Sequence, residues 1–435
     1  MLSQILFLVC LSTGVYFFTK KIREIMQNIH LGRPLVINDR KAERWKVMAR
    51  VAMGQSKMGS RPVAAFFHFI IYAGFIIINI EVIEIIIDGL FGTHRVLHFL
   101  GSFYDFLIAS FEWLALGVLL ACVVFLSRRN VVRLKRFWMR EMTSWPRSDA
   151  NIILVVEVLL MSAFLFMNAA DQLLQKQGAE HYVSAGYFPV SGVLTPIIEH
   201  WSVSSLIVLE RGCWWFHILG ILAFLNYVPY SKHFHILLAF PNTWYSKLQP
   251  KGELSNMESV TREVQLMLDP SAPAPVADAP AGPQRFGARD VEDLSWKQLM
   301  DAYSCTECGR CTSACPANLT GKLLSPRKIM MDTRDRLEEK GKNRASHGPE
   351  HDDGKALLND YISPEELWAC TSCNACLEAC PVLIDPLSII VDMRRYMVME
   401  QSAAPAELNG MFSKIENNGA PWQFSQADRM NWTEN

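Results

Sequence analysis

At 435 residues and a net charge of −1, the chain is long enough for two or three domains and lacks the overall basic field that draws nucleic acid. Half of its residues are hydrophobic and a fifth are charged, but they are not mixed: residues 1–240 are apolar and aromatic, and 250–435 have the composition of a water-facing protein. Eight of the eleven cysteines fall in two short cassettes, a pattern of metal or cluster ligation in a reducing compartment, whereas Cys10, Cys122 and Cys213 sit in apolar runs as buried thiols.

In chain order, five stretches meet the requirement of roughly 17–25 mainly apolar residues for a membrane-spanning helix. They lie at about 2–19, 63–88, 103–126, 151–170 and 206–230. The first is expected to stay in the protein, because Lys20, Lys21 and Arg23 follow it rather than precede it and no small-residue cleavage site appears. Segment 20–62 carries eleven Lys and Arg against three acids, and segment 127–147 seven against one; 89–102 and 171–205 are nearly free of them. The positive-inside rule then puts the N-terminus outside and everything after Tyr230 in the cytoplasm, as in a multi-pass protein of a bacterial inner membrane.

Charges inside spans are costly and suggest function. Glu112, near the middle of the third span, is the candidate for a quinone-site or proton-path group, and Glu157 lies within the fourth. Glu81, Glu84 and Asp88, at the outer third of the second span, are expected to be solvated at the interface.

The fifth span reads C-W-W-F-H-I-L-G-I-L-A-F-L-N-Y-V-P-Y-S-K-H-F-H, Cys213 to His235. On a continuous helix His217 and His235 would be five full turns apart, facing one way at a separation of roughly 27 Å. Two stacked haems ligated from one helix would require such a pair, and imidazole is a standard haem ligand. His68 lies at a depth that suits His235. For His217 the second ligand is left between His98, which is preferred, His94 and His200. His233 is expected to face away from His235.

After a linker, S-A-P-A-P-V-A-D-A-P-A-G-P-Q (Ser271–Gln284), come the cassettes: C-T-E-C-G-R-C-T-S-A-C-P (Cys305–Pro316) and C-T-S-C-N-A-C-L-E-A-C-P (Cys370–Pro381). C-x2-C-x2-C-x3-C-P is the spacing that wraps a 4Fe-4S cubane, three thiolates from one cassette and the fourth from the other. Cluster one would take Cys305, Cys308, Cys311 and Cys380, and cluster two Cys370, Cys373, Cys376 and Cys315. Structural zinc rarely needs this spacing, still less twice. Flanking segments fit a helical period, and S-P-E-E-L-W-A-C carries an N-cap at Ser363, proline at Pro364 and Glu366 three after the cap. The polar stretch E-E-K-G-K-N-R-A-S-H-G-P-E-H-D-D-G-K between the cassettes reads as an exposed loop holding His347 and His351.

With these residues in view, residues 1–245 resemble the nitrate reductase gamma-subunit family of dihaem cytochromes b, on the five spans, His68, His217 and P-Y-S-K-H-F-H. That family places two ligands on its second span; the later position is Ile78 here. Residues 290–400 resemble the helical dicluster domain of heterodisulfide reductase C subunits and succinate dehydrogenase iron–sulfur subunits. The fusion resembles the membrane half of electron-transfer-flavoprotein:menaquinone oxidoreductases and heterodisulfide-reductase-like membrane complexes, in which a cysteine-rich CCG domain follows. No CCG motif follows here, so a separate CCG-domain iron–sulfur or flavoprotein subunit is expected.

The reading is an all-α protein: a five-helix transmembrane cytochrome b bundle (1–245), a linker (246–289), an α-helical 4Fe-4S dicluster domain (290–400) and a tail (401–435). Its expected function is an oxidoreductase subunit passing electrons between a cytoplasmic partner, two 4Fe-4S clusters, haem b and membrane menaquinone. The alternative is a membrane-anchored iron–sulfur redox sensor or assembly factor without quinone turnover.

Overall fold

The computed structural model describes residues 1–269 and 285–434; the Pro/Ala-rich segment Ser271–Gln284 lies outside the described residues. Among the described residues the fold is all-helical, with two isolated bridges, Arg33 to Ser295 and Leu358 to Ile362, and no sheet. Five helices are long and apolar enough to cross a membrane: Leu2–Ile29, Pro62–Phe91, Ser102–Asn130, Ser144–Lys176 and Val203–Tyr230. They form a ring, the first packing on the second and fifth, with second on third, third on fourth and fourth on fifth. Small residues let the backbones approach: a methyl added at Gly74 would lie 2.6 Å from Val118 Cγ2, and one at Gly220 2.6 Å from Leu160 Cδ2.

The fifth span does not continue to His235. Its α-helix ends at Tyr227, 3₁₀ turns cover Val228–Tyr230 and Lys232–Phe234 with Ser231 extended between them, and a new helix runs His235–Trp244. Pro229 has no N–H to continue the ladder and its ring crowds the preceding turn. The Ser231 hydroxyl then accepts the His233 N–H at 3.1 Å and fixes the break. The expected five-turn phase between His217 and His235 therefore does not hold.

In the cassette domain the local signals act as read. Ser295, Ser325 and Ser363 cap the helices Trp296–Ser304, Pro326–His347 and Pro364–Trp368, with a full capping box at Ser295 and at Ser363. The expected loop between the cassettes is mostly helix: Pro326–His347 runs through E-E-K-G-K-N-R-A-S-H and turns only at Gly348. Packing extends it, since Gly341 meets buried Asn28 of the first span, where a methyl would lie 2.1 Å from Asn28 Oδ1. His347 and His351 stack at 4.5 Å beyond that contact. Part of the expected 246–289 linker is helical as well, Glu258–Leu268, and the tail carries the helix Ala406–Asn418.

The cassette domain is docked on one end of the ring through direct bonds. The Arg33 N–H donates to the Leu294 carbonyl at 2.7 Å, and the Arg33 carbonyl accepts from Trp296 N–H at 3.1 Å. Asn28 Nδ2 donates to Tyr303 Oη at 3.0 Å, and Asn242 Nδ2 to the Val382 carbonyl at 2.9 Å. Arg327, fully buried, donates to Glu141 Oε1 and to the Arg136 carbonyl, each at 2.7 Å.

Candidate electron-transfer site

The two cassettes fold alike. Two residues past the first cysteine the backbone is left-handed (Glu307 φ 51°, Ser372 φ 56°), and two further on it is so again (Gly309 φ 69°, Asn374 φ 59°). Each second turn opens a short helix, Arg310–Ala314 or Ala375–Ala379, from which the fourth cysteine emerges extended. The two short helices pack on each other and cross the cassettes. Cys380 lies in the field of Cys305 and Cys308, and Cys315 in that of Cys370 and Cys376. Backbone N–H groups point at sulfur, Ser372 to Cys370 Sγ at 3.4 Å and Ile384 to Cys380 Sγ at 3.3 Å.

Burial pushes the thiols of Cys305, Cys376 and Cys380 up to about 12, so metal binding must displace their protons. Among the described residues no three His, Cys, Asp or Glu side chains group around a single ion, as ligands of one zinc at about 2.3 Å would. A cubane's thiolates cap separate irons and stand further apart. Eight sulfurs in two crossed sets fit two 4Fe-4S clusters in donor type.

Beneath the first cassette the ring carries three imidazoles. The rings of His68 and His235 are 6.5 Å apart and inclined at 40°. Two imidazoles on opposite faces of a haem iron, with iron–nitrogen bonds of about 2 Å, have centres roughly 6 Å apart. Each Nδ1 is already engaged, in His68 by Gln55 Oε1 and in His235 by the Lys232 carbonyl, both at 3.0 Å. That leaves Nε2 free on both rings, so this is the nitrogen that would hold a haem iron, with each ring oriented by the hydrogen bond at its Nδ1. His233 does not face away: the 3₁₀ turn brings its ring to 5.5 Å from that of His235. Burial lowers His233 to about 3 and lowers His235 as well, so both rings are neutral.

His217 is buried, its Nδ1 bonded to the Leu160 carbonyl at 3.1 Å and its ring 5.9 Å from Phe164. None of the three expected partners is beside it. His94 Nε2 lies 3.3 Å from Asp171 Oδ1, and Asp171 is about 16 Å further along the fourth span than Leu160. His98 is held at the ring's far end, its Nδ1 bonded to the Arg95 carbonyl at 2.8 Å. The His200 side chain is 87% exposed next to Glu199. The structure brings His68 to His235 and leaves His217 without a second imidazole, so the residues fit one bis-histidine haem.

Residues between the centres carry no motif in the sequence. Lys232 donates from Nζ to Glu307 Oε2 of the first cassette at 2.6 Å while its carbonyl orients His235. Arg310, also in the first cassette, donates to the Lys57 carbonyl at 3.1 Å and Ser60 Oγ at 3.3 Å. Arg61 Nη2 donates to Ser313 Oγ at 2.8 Å. The 49–61 segment so held also supplies Gln55 to His68. A basic residue three before a histidine was the one signal available, at Lys232; Gln55, Arg61 and Arg310 gave none.

At the opposite end the expected interfacial acids are buried instead: Glu81 and Glu84 are each 3% exposed. Glu84 accepts from Leu97 N–H at 2.8 Å and Tyr104 Oη at 2.9 Å. Tyr104 in turn accepts from Arg95, which also donates to Asp171 at 2.6 Å and Asn168 at 2.9 Å. Glu112 closes this network, accepting from Asn168 Nδ2 at 3.2 Å, Val190 N–H at 2.8 Å and Ser191 N–H at 3.1 Å. Its Oε2 pins the 188–195 loop to the ring while Oε1 holds Asn168 of the fourth span.

Comparison with known proteins agrees with the cassette geometry. Models described as a 4Fe-4S dicluster domain match residues 304–384 and 265–320, so the chain carries a C-terminal domain of that class. Among relatives, the probable iron-sulfur-binding oxidoreductase FadF of Bacillus subtilis is 28% identical over 99% of this chain and 61% of its own length. The EtfAB:quinone oxidoreductase of Syntrophomonas wolfei is 26% identical over 91% of this chain and 55% of its own. The probable membrane-anchored ferredoxin of Chromohalobacter salexigens, 32% identical, aligns with 36% of this chain and 24% of itself. The chain thus spans little more than half the length of the long relatives it matches. Both of the first two are named as oxidoreductases, the first as iron-sulfur-binding, which supports an electron-transfer role here. No solved structure matches the chain.

Proposed function

We propose that this chain is the electron-transfer unit of a membrane quinone oxidoreductase. Its bound groups would be two 4Fe-4S clusters, held by Cys305, Cys308, Cys311 and Cys380 and by Cys370, Cys373, Cys376 and Cys315, and one haem b held by His68 and His235; each exchanges single electrons. The observation that carries the proposal is the Lys232 link, one residue holding both the first cassette, at Glu307, and the axial histidine. Arg310, Arg61 and Gln55 fix the same junction from the other side. The chain's own work is then positional: it keeps two kinds of redox ligand at one protein interface.

The loop charges support a bacterial inner membrane with the N-terminus outside and the cassettes in the cytoplasm. There a flavoprotein or CCG-domain iron–sulfur partner exchanges electrons with the cassettes, and menaquinone is the membrane substrate. The relative named for quinone and EtfAB supports both ends of that path.

The test is a pyridine haemochrome assay with total iron on the purified chain. One b haem and about eight non-haem irons are expected, four for each cubane. Clusters without haem would overturn the wire, and His68→Ala or His235→Ala should each abolish the low-spin haem signal while leaving the iron–sulfur signals in place.

A further inference from the structure

A cavity of about 920 Å³ opens at the junction of ring and cassette domain. Its membrane-side wall is Trp138, Trp145, Pro146 and Tyr230, and its inner wall includes Phe234, Lys232 and Glu307. Trp145 and Tyr230 are exposed at the ends of spans and Trp138 in the loop between the third and fourth, where amphipathic rings settle at a membrane surface. Glu307 lies between Cys305 and Cys308, and Phe234 precedes His235, so the inner wall is built from the segments that also carry proposed cluster and haem ligands. The opposite wall is one face of the Pro326–His347 helix, with Asp332, Asp335 and Glu338 three residues apart.

We propose that this cavity is the binding site for the quinone headgroup, with the isoprenoid tail leaving between Trp145 and Tyr230. The proposal rests on the quinone-linked reading above and adds the place. The volume falls within the roughly 300–1,000 Å³ of small-molecule sites. Apolar walls at membrane level give a lipid-soluble ring a route in. Lys135, Arg140 and Lys322 line it without ion-pair partners among the described residues and face the acids of the opposite wall.

Conversion of quinone to quinol takes two electrons and two protons. The electrons come from the reduced cytoplasmic redox partner by way of the cassette, and the reverse reaction returns them there. The protons are exchanged with the cytoplasmic side across the Asp332, Asp335 and Glu338 wall. Asp332, which burial raises to about 6, suits that exchange near neutral pH.

The experiment is a fluorescence-quenching titration of the full chain, with cofactors, in phosphatidylcholine nanodiscs, using the quinone-site probe 2-heptyl-4-hydroxyquinoline N-oxide. Leu323→Trp fills the cavity from its soluble wall without touching a proposed ligand. It should weaken probe binding at least tenfold while the iron–sulfur EPR signals and haem spectrum stay unchanged. Val193→Trp fills the second groove, an apolar cleft of about 420 Å³ between the third and fourth spans, and should leave binding intact. Probe binding lost in Val193→Trp but kept in Leu323→Trp would overturn the proposal and move the site to that groove. Displacement of the probe by cardiolipin but not by menadione would overturn it in favour of a lipid headgroup. A wild-type chain that binds no probe would instead remove the quinone-linked reading itself.

Discussion

Single residues here decide more than their motifs suggest. Arg95 sits in a loop that looks ordinary in sequence, yet it is the cation around which Asp171, Asn168, Tyr104 and Glu84 arrange themselves. Breaking a buried pair by removing one partner leaves the other's charge unpaired, at a cost of about 3–5 kcal/mol. Arg95→Met should lower the thermal midpoint by that much in energy, and adding Asp171→Asn should restore part of it; an unchanged midpoint would show that water reaches the network. The same network explains why the acids of the second span are buried rather than interfacial. Glu81 and Glu84 look interfacial when only span position is known, because their countercharge comes from elsewhere in the chain.

At the scale of the element, local rules were legible and long-range ones were not. The caps at Ser295 and Ser363 follow from residues three apart, as do the cassette turns. The break at Pro229 is also written in the chain, since proline cannot continue the helix, whereas the spacing of the two histidines taken alone implies a continuous one. The length of Pro326–His347 was not written locally, since Lys340, Gly341 and Asn343 become helical by lying against the first span and the 352–355 turn.

Two glycines make that distinction measurable. Gly410, in the exposed tail helix, has nothing within 4 Å of an added methyl, so Gly410→Ala should stabilise that helix by about 1 kcal/mol, the propensity difference alone. At Gly341 the same gain is opposed by a contact of 2.1 Å with Asn28, which is already bonded to Tyr303. Overpacking costs about 1–3 kcal/mol, so Gly341→Ala should come out destabilising, with the opposite shift in thermal midpoint.

For the whole molecule the decisive fact is that the two domains share buried charge. Burial would raise the Glu141 carboxyl, but the Arg327 guanidinium and the Ser325 hydroxyl outweigh it and hold it below its ordinary 4.5. A carboxylate depressed in this way lends stability above its unfolded value and loses it as pH falls through the folded one. Wild type should therefore be more stable than Glu141→Gln at pH 7, and the gap in thermal midpoint should close as pH is lowered below about 4.5. A gap that stays constant would mean that the pair does not hold the domains together. None of this docking could be read from sequence: two domains could be drawn side by side from composition, but not the bonds from Arg33, Arg61 and Arg327 that seat one on the other.

The turn at Val228–Phe234 has a bearing on how the protein is made. His235 is not carried by a finished transmembrane helix; it hangs from a short irregular turn whose lysine reaches into the first cassette. During synthesis the spans emerge well before Cys305, so for that interval the turn has no Glu307 to grip and His235 has no fixed place. The pairing of His68 with His235 can take its final shape only when the cassette domain arrives. A haem held there, as proposed, would be firmly seated only in the finished chain, and the order of the sequence would then act as a safety catch on the redox chemistry.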